Sequence, residues 1–240
     1  MLISVKNIVK SFQIRGEDKT VVLNDLNLEI ERGQFTALVG PSGVGKSTLL
    51  YLLGTLDKPD SGEIVISKDG INYEITSMDD FALSKLRNQM LGFVFQFNQL
   101  LPEFTALENV MIPAFIAGMN KKNAAEKAGF LIDKVKMSHR LNHKPMELSG
   151  GEQQRIAIAR ALVNDPEIIL ADEPTGNLDA ANSTAVLDLL QQIMEEYKLT
   201  CLVATHSNDV AGVAGRICTM GYGKIVSDIT KSGIGKNFAK

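Results

Sequence analysis

The sequence predicts an α/β fold: a core with a parallel sheet, an N-terminal antiparallel β subdomain and an inserted α-helical subdomain. Three observations predict it. Four apolar, strand-like runs, near Phe35–Val39, Leu91–Gln96, Ile168–Asp172 and Thr200–Thr205, are separated by helical patterns, the order that produces parallel strands with right-handed crossovers. Leu2–Phe12 and Val21–Ile30 alternate apolar and polar residues, and Glu63–Ser67 with Ile71–Ile75 adds a hairpin turning at Lys68-Asp69-Gly70. A mostly helical stretch separates Gln96 from the next core strand. At 240 residues and 45% hydrophobic, the chain has enough apolar surface for one substantial core. It reads as a single domain, 1–240, with core segments at about 1–96 and 164–230, a helical subdomain at about 97–163 and a tail at 231–240.

The first chemical element comes directly after the first core strand. Gly40-Pro41-Ser42-Gly43-Val44-Gly45-Lys46-Ser47, with Thr48 behind it, fits G-x-x-x-x-G-K-[ST] between a buried strand and a helix, the context of a phosphate-binding P-loop and of the nucleotide-hydrolysing (P-loop NTPase) core built around it. Glycines allow consecutive N–H groups to face one anion, and the helix N-terminus adds partial positive charge. Lys46 is expected on the β/γ-phosphates and Ser47 on Mg²⁺. The competing reading is an ordinary glycine-rich turn.

Ile168–Asp172 is an apolar run ending in two carboxylates, Asp172 and Glu173. Adjacent strand residues point to opposite faces, so the pair shares a task only if the chain leaves the strand, and Pro174 requires that departure. A solvated acidic strand end is the bland alternative; the phosphate loop earlier in the chain argues against it.

Between these elements lie helical patterns. Thr105-Ala106-Leu107-Glu108 is a capping box, and Pro113 is expected to interrupt or kink the helix that this box starts. A second helix is expected over Ala124–Lys136. A third begins at Ser149-Gly150-Gly151-Glu152, which also fits a capping box; yet each glycine in a first turn costs up to about 1 kcal/mol relative to alanine, so the pair implies a close approach to the backbone. Val186, Leu189, Leu190, Ile193, Met194 and Tyr197 recur at helical spacing and are expected to face the core.

Leu148-Ser149-Gly150-Gly151-Glu152-Gln153-Gln154-Arg155, set between the phosphate loop and Asp172-Glu173, resembles the signature of ATP-binding cassette (ABC) proteins. Leu91–Gln96, Leu100–Val110 and Ala171-Asp172-Glu173-Pro174-Thr175-Gly176-Asn177-Leu178-Asp179 are similar, over almost the whole chain, to the LolD-like lipoprotein-releasing ATPases; macrolide and peptide efflux ATPases and the cell-division ABC complex share much of the pattern. The resemblance implies an ABC nucleotide-binding domain that hydrolyses ATP with Mg²⁺ to move a membrane partner. It implies that Asp172 reaches Mg²⁺ through water and that Glu173 polarises the attacking water. Gln96 becomes the amide that senses metal and water, and His206, after Thr200–Thr205, the switch histidine on the γ-phosphate. Ser149, Gly150, Gly151 and Glu152 meet the nucleotide of a second copy, Asp179 belongs to a loop crossing that dimer interface, and Phe12 stacks on adenine. Without the resemblance, Gln96 is a surface residue, His206 a hydrogen-bonded structural one, Asp179 part of a turn and Phe12 a core ring.

The expected partners are a second copy, in an ATP-dependent head-to-tail dimer, and inner-membrane transporter subunits. Phe97–Gly118, with Leu100-Leu101-Pro102 and Phe104, either contacts those subunits or packs inside the helical subdomain. No run approaches 18 uninterrupted apolar residues and Met1–Lys6 lacks a signal-peptide pattern, so the chain is expected to be cytoplasmic and peripheral on the inner membrane. Its two cysteines, Cys201 and Cys218, read as buried and reduced. The net charge of −3 provides no basic field for nucleic acid, and no coiled-coil insertion or tandem cassette suggests a soluble ABC ATPase acting on DNA or ribosomes. A small-molecule phosphotransferase has no use for the signature. The Arg15–Thr20 connection and the tail lysines Lys231, Lys236 and Lys240 read as departures and solvated surface.

Overall fold

In chain order the elements are β1 (Ile3–Phe12), β2 (Thr20–Ile30), β3 (Phe35–Val39), α1 (Lys46–Leu53), β4 (Ser61–Lys68), β5 (Ile71–Glu74), α2 (Asp80–Met90), β6 (Leu91–Val94), α3 (Ala106–Ile116), α4 (Lys121–Lys134), α5 (Gly150–Leu162), β7 (Ile168–Asp172), α6 (Ala180–Tyr197), β8 (Thr200–Thr205), α7 (Asn208–Val213), β9 (Arg216–Gly221) and β10 (Lys224–Thr230). The structure is a computed structural model describing residues 1–13 and 18–231. The Arg15–Thr20 connection thus falls partly, and the tail lysines Lys236 and Lys240 wholly, outside the described residues. The chain forms two compact units, one from Met1–Leu83 and the chain from Thr200 onward, the other from Ser84–Leu199.

In the first unit, β2-β1-β4-β5 form an antiparallel sheet. Alternation places Ile3, Val5 and Ile8 of β1 in the core, and a register shift between Val5 and Ile8 accommodates Asn7 at φ 53°. The expected β4–β5 hairpin is present: Asp69 and Gly70 take φ 51° and 78°, both left-handed, which suits the right-handed strand twist. A second set of strands runs in the order β10-β9-β3-β8, with β3 parallel to β8 from Phe35↔Cys201 to Val39↔Thr205. β9 is parallel to β3 and turns through Tyr222-Gly223, at φ 52° and 72°, into antiparallel β10. The apolar run around Cys218 is strand-like in the sequence, but no pattern there marks its pairing with β3 or its continuation into β10.

Arg216 anchors the pair. Its Nε and Nη2 donate to the two carboxylate oxygens of Asp228 (2.7 and 2.5 Å), and its Nη1 donates to the Glu29 carbonyl at 2.6 Å. Both cysteines are buried as expected, and burial pushes each thiol up to about 12.

In the second unit, β6 and β7 pair in parallel from Leu91↔Ile168 to Val94↔Ala171. β6 ends at Val94, not at Gln96 as the apolar run predicted, because its partner ends at Asp172 and offers no extended chain beside Gln96. α5 closes on β6 at Gly92, where a Cβ would lie 2.5 Å from the Ala161 carbonyl. The Thr105 capping box is complete. Pro113 does not end α3, which continues to Ile116: proline removes a single N–H, and the Ala117 amide still bonds the Pro113 carbonyl at 3.1 Å. The second predicted helix, α4, starts three residues early, at Lys121, because Asn120 caps it through the Asn123 amide. On α6, Val186, Leu189, Leu190, Ile193 and Met194 are buried, whereas Tyr197 is 37% exposed at the last turn.

Asn109 is fully buried and spends its side chain on one loop. It accepts from the Leu101 amide (2.7 Å) and donates towards the carbonyls of Leu101, Phe104 and Thr105 at 3.0–3.1 Å. The loop so held presents Leu101 and Phe104 to solvent. Asn109→Ala removes the partner of the Leu101 amide and of the Phe104 carbonyl, while the Leu101 and Thr105 carbonyls keep the Phe104 and Asn109 backbone amides, and is expected to cost about 1–3 kcal/mol in urea unfolding.

Candidate functional site

The phosphate loop joins β3 to α1 within the first unit. Gly45 is the N-cap of α1 at φ 107°, and a Cβ there would stand 2.7 Å from Leu23 Cδ2, so both conformation and space require glycine. No side chain caps α1, and its first turn holds no acid to offset the positive end of the helix dipole. Lys46 is 7% exposed, and its ammonium folds back onto the carbonyls of Gly40 (2.8 Å) and Pro41 (3.1 Å). Pro41, Ser42 and Gly43 are exposed at the crest, while Ser47 and Thr48 lie in the first helical turn. Such a loop is chemically suited to an anion.

Two further predicted residues belong to this unit. Phe12 ends β1 with its ring 45% exposed and Lys10 Nζ 5.1 Å from the ring centroid. It is a surface ring, not a core one. His206 comes directly after β8 and is exposed.

The second unit holds the carboxylates. Asp172 is the last residue of β7, and Glu173 turns to φ 45° immediately before Pro174. A non-glycine residue in the left-handed region costs about 1–3 kcal/mol, strain of the kind that collects at functional positions. The chain then closes a tight turn, with the Gly176 amide on the Glu173 carbonyl (3.0 Å) and the Leu178 amide on the Thr175 carbonyl (3.1 Å). Asp179 caps α6 through the Asn182 amide at 2.9 Å.

Gln96 lies beyond β6 in a bend. Asn177 Nδ2 donates to its carbonyl at 3.0 Å, and a Cβ on Gly176 would stand 3.2 Å from Gln96 Nε2 and 3.4 Å from Glu173 Cβ. The Gly176 turn therefore brings Gln96 and Glu173 together. The neighbouring carbonyls are held from α5: Gln154 Nε2 lies 3.5 Å from that of Phe95, and Arg160 donates to those of Asn98 (2.8 Å) and Gln99 (2.7 Å). Burial pulls the Arg160 guanidinium down to about 10. A cavity of about 360 Å³ is lined here by Gln96, Phe97, Asn98, Gly150, Gln153 and Asn177, among others. Sequence reasoning missed Asn177, Gln154 and Arg160 as members of the site. Asn177 and Gln154 stand inside the motif strings, but nothing local shows which carbonyl a side chain reaches.

Ser149 caps α5 with both bonds of its capping box: the Glu152 amide on Ser149 Oγ (3.3 Å) and the Ser149 amide on Glu152 Oε2 (2.8 Å). The bond from the Ser149 amide is the first cause holding the Glu152 carboxyl below its ordinary value, and Arg140 Nε adds to it at 3.0 Å. The close approach implied by the glycine pair has a partner inside the chain. A Cβ on Gly151 would lie 2.6 Å from Asn182 Oδ1, and one on Gly150 3.3 Å from Leu178 Cδ2.

Ser47 in the first unit carries a hydroxyl oxygen, and Gln96 and Asp172 in the second carry amide and carboxylate oxygens, each a hard donor of the kind Mg²⁺ takes. Among the described residues, no cluster of three or more histidine, cysteine or acidic side chains has metal-holding geometry, and no helix is long and apolar enough to cross a membrane.

A family model described as ABC transporter matches residues 23–176. A lipoprotein-releasing system ATP-binding protein LolD from Saccharophagus degradans is 50% identical, over 90% of this chain and 92% of its own length. A protein of the same description from Geobacter metallireducens is 47% identical, over 95% of this chain and 99% of its own. Among solved structures, the dimeric post-hydrolysis state of the ATP-binding cassette MJ0796 bound to ADP and Pi superposes with a TM-score of 0.86 at 39% identity, covering 95% of this chain and 98% of that one.

Gly151→Ala is expected to displace Asn182 and to lower stability by about 1–3 kcal/mol in denaturant unfolding, the usual cost of overpacking. The second expectation concerns pH. Because Glu152 titrates below its ordinary 4.5 in the folded chain, the stability it contributes is complete above that value and is lost as pH falls through the lower, folded pKa. Glu152→Gln, which retains a capping side chain, should flatten that part of the unfolding midpoint's decline between neutral and acid pH.

Proposed function

The chain belongs to the ABC transporter family, and from that premise we propose that it is the ATP-binding and ATP-hydrolysing subunit of a bacterial transporter that releases lipoproteins from the inner membrane. The observation that carries this reading is the similarity to lipoprotein-releasing ATP-binding proteins along 92–99% of their length. It leaves little of either chain outside the comparison.

The whole chain acts as one cassette, and two copies work head to tail. Lys46, now tied to two loop carbonyls, turns to the β/γ-phosphates, where Gly40–Gly45 and the α1 N-terminus supply N–H donors. Ser47, Gln96 and Asp172 would hold Mg²⁺, Asp172 through water, and the ion would neutralise charge developing on the phosphates. Glu173 orients and polarises the attacking water, and His206 meets the γ-phosphate. Phe12, exposed at the end of β1, offers its face to adenine. The capped helix start Ser149–Glu152 meets the nucleotide of the other copy, and Asp179 stands in the loop that crosses between copies. ATP binding closes the pair and hydrolysis reopens it.

The membrane subunits take up that motion at Phe97–Gly118. Supporting this, Phe97 and Ile116 are 72% and 69% exposed, and the loop stapled by Asn109 holds out Leu101 and Phe104. The chain thereby works on the cytoplasmic face without entering the bilayer.

Glu173→Gln tests the mechanism. Turnover should fall about 10²–10⁴-fold, the contribution of a positioned acid or base, while calorimetry finds ATP-Mg²⁺ binding retained. Light scattering should find the mass doubled by ATP-Mg²⁺. Full residual hydrolysis refutes the role of Glu173. Failure of the wild-type chain, reconstituted with its membrane subunits in vesicles, to release a lipoprotein on ATP addition refutes the cargo.

A further inference from the structure

The Gln96 carbonyl is fastened from the catalytic side of its segment, unlike its neighbours. Phe95, Asn98 and Gln99 are held by side chains of α5, whereas Gln96 is held by Asn177, four residues after Glu173. Nothing in the turn itself requires that side chain. The turn is closed by backbone bonds, Gly176 to Glu173 and Leu178 to Thr175, and Asn177 is exposed, so its amide has water as an alternative partner. Spent on the Gln96 carbonyl, it closes a ring running from Glu173 along the turn to Asn177 and across to Gln96. Gly176 fits inside the ring: its missing side chain leaves the 3.2 Å and 3.4 Å approaches to Gln96 Nε2 and Glu173 Cβ.

We infer that Asn177 is a positioning residue for ATP hydrolysis, which fixes the Gln96 amide relative to the Glu173 carboxylate. This rests on the reading of Gln96 and Glu173 given above. The Glu173 carboxylate needs the attacking water in one place, and a glutamine tethered to the same turn keeps that place constant when the segment after Gln96 moves. Without the tether, Gln96 remains present but samples other positions, which lowers the rate and not the binding.

The test is a double-mutant cycle on the chain assembled with its membrane subunits. Asn177→Ala and the isosteric Asn177→Asp, which removes the donor, should each lower kcat about three- to tenfold, the scale of one hydrogen bond. KM for ATP in the assembly should not change, nor should the urea midpoint of the isolated chain, since Asn177 is exposed, and the isolated chain should still double its mass with ATP. In a Gln96→Ala background, Asn177→Ala should have no further effect, within about twofold, because the two act as one unit. Additive losses, or an unchanged kcat in both Asn177 variants, overturn the positioning role while leaving Gln96 its own. Lost mass doubling places Asn177 at the copy interface and also overturns it. A Gln96→Ala variant with undiminished kcat instead removes the reading of Gln96, and the proposal falls with it.

Discussion

The second unit is organised by the way β7 ends. Glu173 takes a left-handed conformation and Pro174 cannot donate to a ladder, so the strand stops at Asp172 and the chain folds back within three residues. Several features depend on that stop. The parallel partner β6 loses its neighbour after Val94, which frees Gln96 from the sheet. The returning turn delivers Asn177 to Gln96 and Asp179 to the start of α6. Asp179 in turn aligns Asn182, whose side chain fills the space that Gly151 leaves on α5. One strained residue thus connects the carboxylates, the glutamine bend and the glycine-rich helix start.

That connection changes how the glycine pair is understood. Helix energetics alone identified a close approach at Gly150-Gly151, and a phosphate was the partner suggested by resemblance. The structure supplies an intrachain partner in Asn182 and Leu178, so the pair has a packing reason that stands independently of any ligand. The two roles are compatible: glycines that admit a neighbouring segment on one side still leave the Ser149-capped helix end with its backbone donors.

In the proposed mechanism the first unit has a different task, that of holding a cation ready for an anion. Gly45 is locked between β2 and the helix start, and the Lys46 ammonium is buried against two carbonyls of its own loop. A buried lysine held by neutral acceptors is costly to leave in place and easily redirected to phosphate oxygens, which offer a charge-assisted bond. Arg216 shows the contrasting, purely structural arrangement, in which a guanidinium is fully committed to Asp228, Glu29 and Gln34.

The features legible in the sequence were local. The phosphate loop, the capping boxes at Thr105 and Ser149 and the Asp69-Gly70 hairpin were legible because each is a rule about neighbours within a few residues, and the core strands because burial on both faces imposes an apolar run. Its misjudgements were also local rules carried too far. Pro113 sits inside α3 because the surrounding bonds absorb one missing N–H, and β6 ends at Val94 because strand length depends on a partner 77 residues away, as Val94↔Ala171 records. Long-range packing set the rest: Asn177 and Arg160 hold the carbonyls around Gln96, Asn109 staples the exposed apolar loop, and β9–β10 complete the strands beside β3. Those are contacts between distant segments, and a side chain's reach across space is set by packing that no short stretch of sequence contains.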